Sequence, residues 1–117
     1  MTLSDLQVGF RELQRNMNET DRKLVDQFLS QVTNWVTFAD TPNELVTSLD
    51  RLLGHSWFSS NDDHAKVHEL IQGLQAEVEA LPGMTMNERL FTFGLMERWD
   101  ASSGEQKTMI RRELGVT

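Results

Sequence analysis

The chain has no cysteine among its 117 residues. That absence removes disulfides, thiol catalysis, zinc fingers and thiolate-bound iron–sulfur clusters together. It fits a reducing compartment, and a cytoplasmic location is the expectation. Two prolines and seven glycines are too few for a flexible linker. No run approaches the roughly eighteen apolar residues that a membrane span needs. The opening segment, MTLSDLQVGF, lacks a basic region followed by a long apolar run, so it does not read as a signal peptide. Positive charge is scarce. Eleven Lys and Arg stand against eighteen Asp and Glu, a formal net charge of −7. Such a field disfavours DNA, RNA and anionic membrane and steers basic partners inward. Catalytic signatures are missing too: no G-x-S-x-G, no P-loop, no G-x-G-x-x-G and no carboxylate pair on an apolar face. With no site assembled, the expectation is a protein that is not an enzyme and needs no cofactor.

What is present is helical. Ser4 opens SDLQ, a capping box with Gln7, and Leu6, Phe10, Leu13 and Met17 follow on one face. Asn18 or Thr20 begins a second helix, with Asp21 in its first turn to complement the dipole. Its stripe includes Val25, Phe28, Val32 and Trp35 and runs to about Ala39, where Asp40-Thr41-Pro42 stops it. Thr41 caps a third helix through TPNE, with Pro42 at the first helical position and Gly54 as the expected left-handed closing residue. Residues 55–61 form a loop, whose Trp57 and Phe58 are expected to turn from water and plug the end of the fold. Ser60 or Asn61 caps a fourth helix. Its stripe of Val67, Leu70, Ile71, Leu74, Val78 and Leu81 ends at Pro82-Gly83. Thr85 caps a fifth helix through TMNE, continuing to Asp100 or Ala101. Ser103 caps a sixth through SGEQ, with Met109, Ile110 and Leu114 as its apolar face and Gly115 closing it.

No segment alternates with a two-residue period, so no strand is expected. The expected fold is one all-α domain over residues 1–117, a compact bundle of five or six helices. The alternative is three stacked helical hairpins starting near residues 4, 41 and 85, an α-solenoid arrangement suggested by the recurrence of TPNE and TMNE.

The fifth helix is the least ordinary segment. Leu90, Phe91, Phe93, Leu95, Met96 and Trp99 project to almost every side of a straight helix. Such a helix is either buried all round or carries a second face for a partner. The partner reading takes Phe91, Leu95 and Trp99 as aromatic and aliphatic anchors, with a homodimer as one form of it. Trp57 and Phe58 are a second anchor candidate. Asn87-Glu88-Arg89-Leu90-Phe91, then Gly94-Leu95, then Trp99-Asp100 resembles a motif of short uncharacterised bacterial proteins. In those the order is NERL(F/Y), two residues, GL, three residues and FD, before a final short helix. Trp99 stands here where phenylalanine is usual. The resemblance covers residues 85–117. It implies a helical fold and a bacterial source, and no activity.

His64 and His68 stand four apart on the fourth helix, a spacing that zinc or nickel could use. The metalloprotease glutamate is absent, since Ala65 and Lys66 follow His64. A solvated helix face is the simpler reading, and no metal is expected. From Asp62 to Glu88 six acidic residues accompany one basic residue, Lys66. Arg98, Lys107, Arg111 and Arg112 form a basic cluster, interleaved with Asp100, Glu105 and Glu113. The functional expectation is non-catalytic protein–protein interaction or regulation. One alternative is an acidic inhibitor or immunity protein against a basic toxin or nuclease. Another is a DNA-binding regulator using the last two helices.

Overall fold

The computed structural model describes residues 1–38 and 41–115, apart from the side chain of Phe38. Among these residues there are seven α-helices, one 3₁₀ turn and no strand. The helices are α1 (Leu3–Gln14), α2 (Glu19–Phe38), α3 (Pro42–Gly54), α4 (Asn61–Ala80), α5 (Met86–Thr92), α6 (Met96–Asp100) and α7 (Gly104–Glu113). The 3₁₀ turn, Leu81–Gly83, links α4 to α5. The expected helix end near Ala39 and the stop at Asp40 lie outside the described residues.

The first four helices run up and down in a closed ring: α1 packs on α2 and α4, and α3 packs on the same two. Phe10, Phe28, Val32, Leu45, Leu49, Val67, Ile71 and Leu74 fill the space between them, all essentially out of water. The approach of α1 to α4 is close at Gly9, where a Cβ would sit 2.7 Å from Leu70 Cδ2. Gly9 therefore trades a little helix propensity for contact between helices. The last three helices close one end of the ring. Phe93 meets Trp35 edge-on at 6.0 Å, and Arg98 Nη1 donates to Val36 O at 3.3 Å. The molecule is elongated as a result, 46 × 25 × 21 Å.

Cap chemistry explains most boundaries. Thr41 Oγ1 accepts from Glu44 N, and Thr85 and Glu88 exchange both bonds of a capping box. Asn18 Oδ1 accepts from Asp21 N, which makes Asn18 rather than Thr20 the start of α2. Two boundaries differ from expectation. α1 is capped by Thr2, not Ser4: Thr2 Oγ1 accepts from Asp5 N while Asp5 accepts from Thr2 N. That backbone bond holds the Asp5 carboxyl below its ordinary pKa. Starting two residues earlier places Leu3 on the buried face. α3 ends without a left-handed glycine. His55 N and Ser56 N reach back three residues to Leu52 O and Leu53 O, so a 3₁₀-type closure replaces it.

The largest departure is the fifth helix, which is two helices. α5 ends at Thr92, and Gly94 takes φ +69°. Leu95 N donates to Leu90 O at 2.9 Å and Gly94 N to Phe91 O at 3.3 Å, the paired bonds of a Schellman motif. An L-residue at Gly94 would cost about 1–2 kcal/mol. The break has a packing reason. Phe93 and Leu95 lie about 200° apart on a straight helix. With the chain turned at Gly94, Leu90, Phe93 and Leu95 are all buried. Met109, expected on the apolar face of α7, is 58% exposed, because Ile110 and Leu114 already fill that stripe. Gly115 closes α7 at φ +83°, as its position implies.

Candidate functional site

The two anchor candidates lie at opposite ends of the bundle, since α4 alone, with 20 residues, spans roughly 30 Å. Trp57 stands in the α3–α4 connection and is 89% exposed. Burial alternates along this stretch: Ser56 is buried, Trp57 exposed, Phe58 half-buried and Ser59 exposed. That alternation turns the two neighbouring aromatics to opposite sides of the chain, one inward and one out. Phe58 is the inward one, 6.4 Å from the Phe28 ring and 6.3 Å from the His64 ring. The expectation that Trp57 plugs the bundle is thereby corrected.

The loop that carries Trp57 is tied down from below. Asp21 is only 2% exposed. It accepts from Ser59 N at 3.2 Å and from Ser59 Oγ at 3.2 Å. Asn18 Nδ2 donates to the same Ser59 Oγ at 3.1 Å. Ser56 Oγ donates to Leu52 O at 2.7 Å, and Ser60 Oγ caps α4 by accepting from Asp62 N. A buried carboxylate needs such donors to offset desolvation. Asp21 was legible in sequence only as a first-turn acid on α2, whereas its larger role is as the acceptor that fixes the loop. Beside Trp57 runs a groove of about 270 Å³ lined by Leu53, Ser56, Phe58, Asn61 and His64.

At the other end, Phe91 is 68% exposed and Trp99 half-buried, with Lys107 Nζ 5.2 Å above the Trp99 ring. Leu95 is 1% exposed and belongs to the core, so it is not available as a surface anchor in this fold. Five residues of the NERLF–GL–WD motif have structural duties here, while Asn87, Phe91 and Asp100 are exposed. Glu88 caps α5, Arg89 bonds Leu114 O, Leu90 and Leu95 are core, and Gly94 makes the turn.

His64 and His68 are exposed on α4, and among the described residues no three His, Asp or Glu side chains gather as a metal site. Lys66 pairs with Asp62 at 3.1 Å, and this bond holds its ammonium above the ordinary lysine pKa. Of the basic cluster, Arg98 bonds Val36 O and Lys107 covers Trp99, while Arg111 and Arg112 are exposed. No helix among the described residues is long and apolar enough to cross a membrane. No protein-family model, no curated protein and no solved structure matches the chain.

Proposed function

We propose that the protein is a non-catalytic protein-binding module of the cytoplasm that takes its partner at the Trp57 end of the bundle. The observation that carries this reading is a tryptophan 89% exposed on a loop pinned by a buried aspartate. Tryptophan buries more apolar area than almost any side chain and is among the commonest interface hot spots. A loop already ordered loses little entropy on docking. The partner surface is basic. The chain carries −7, and Asp62 and Glu69 lie exposed in the first half of α4, which starts beside Trp57. An inhibitor of a basic toxin or nuclease is the special case in which that partner is itself harmful. The DNA-binding reading has less support, because α6 has five residues and two of the four nearby cations are engaged.

The test starts from a partner captured from the native host, identified by mass and then titrated as a purified protein. Trp57→Ala is expected to change folding stability by no more than about 0.5 kcal/mol. It should weaken binding by about 30-fold or more. Affinity should also fall as salt rises. Equal binding by wild type and W57A would remove the proposal.

A further inference from the structure

Between the start of α3 and the end of α7 lies a cavity of about 490 Å³, within the range usual for small-molecule sites. Pro42, Val78, Leu81 and Leu114 make most of its wall apolar, and Arg89 also lines it. Arg89 is only 9% exposed, which is rare for an arginine without a carboxylate beside it. Its Nε donates to Met84 O at 3.2 Å and its Nη1 to Leu114 O at 2.6 Å. Among the described residues no carboxylate forms an ion pair with it. Nη2 makes no hydrogen bond to a described residue. Among the described residues the buried guanidinium is thus tied through Nε and Nη1 alone, on the wall of the cavity.

We propose that this cavity binds a small monocarboxylate with an apolar body. Its carboxylate would sit on Arg89 Nη2, and its hydrocarbon part against Val78, Leu81 and Leu114. A guanidinium fork matches a carboxylate in shape and charge. Thr41, the cap of α3, and Pro42 and Asn43, its first two residues, stand on the same wall. Their end of a 13-residue helix adds positive potential where the carboxylate would lie. Glu113 also lines the cavity and has interactions of its own. The mostly apolar wall suits a ligand with a hydrocarbon body, which inorganic phosphate lacks.

The experiment titrates the full chain with hexanoate, hexanamide and inorganic phosphate, followed by amide and methyl chemical shifts. Hexanoate should give saturable shifts at Val78, Leu81 and Leu114, and hexanamide none in the same concentration range. Arg89→Gln should abolish binding, but it also removes a tie to Leu114 and can unfold the end of the chain. Asn43→Asp avoids that difficulty, because an acid in the first turn of α3 favours the helix. It places a negative charge at the cavity and should weaken hexanoate by about tenfold or more. Equal binding of hexanoate and hexanamide, unchanged affinity in N43D, or tighter binding of phosphate overturns the assignment.

Discussion

Phe28→Ala is expected to lower folding stability by about 3–5 kcal/mol. Phe28 is fully buried, with the Phe10 ring 5.6 Å away on one side and the Phe58 ring 6.4 Å away on the other. Truncation removes the transfer free energy of the ring and leaves a cavity that a close-packed interior refills only in part. Domains of this size are stable by only about 5–15 kcal/mol, so the loss is a large share of the total. The melting temperature should fall by about 10–20 °C. Urea unfolding should show a lower midpoint with an unchanged slope, the mark of a change in stability rather than in the denatured state. A loss under about 1 kcal/mol would contradict the packing described. Because Phe58 rests on the same ring, the variant should also loosen the loop that presents Trp57.

Asp21→Ala acts on that loop directly. Removing the carboxylate leaves Ser59 N and Ser59 Oγ without their acceptor at a part-buried site. The expected cost is about 2–3 kcal/mol, because the lost bonds are to a charged group and unmet donors stay behind. Asp21→Asn keeps one oxygen acceptor and should lose clearly less. Hydrogen exchange separates local from global effects: the Ser59 amide should lose protection in D21A while amides in the middle of α3 keep theirs. Unchanged protection at Ser59 would mean that the loop is held by something other than Asp21. W57A and D21A should therefore both weaken partner binding, the first by removing the anchor and the second by releasing it.

The helices were legible because their signals are local. Thr41 with Pro42 and Glu44, Thr85 with Glu88, and Ser103 with Gln106 each satisfy backbone groups within three residues. The start of α1 was expected at Ser4, where S-x-x-Q spells a capping box, whereas the box that forms is T-x-x-D at Thr2, two residues earlier. Burial of Leu3, which is tertiary, decides between them. The break at Gly94 had a signal that can be read two ways. Apolar residues all round a helix mark either a buried helix or one that is not straight, and only the packing of Leu90, Phe93 and Leu95 on the bundle end chooses. Neither the exposure of Trp57 nor the role of Asp21 was legible. Composition ranks tryptophan as a core residue, and the contact between residues 21 and 59 spans two helices. The buried Arg89 was visible only as a letter in the NERLF string, since one of its two acceptors, Leu114 O, lies 25 residues away at the end of the last helix.

The three tryptophans occupy three unlike surroundings. Trp35 is buried and donates its indole N–H to Thr41 O, Trp99 lies half-covered under Lys107, and Trp57 stands almost wholly in water. Tyrosine is absent, so near-ultraviolet emission excited above the phenylalanine band comes from these indoles alone. Trp57 should supply the long-wavelength edge of that emission and nearly all of the part that dissolved iodide can quench. The fold thus contains its own optical label at the proposed docking point. Covering that loop would shift the spectrum to the blue and protect it from quencher, with no dye attached and no residue changed.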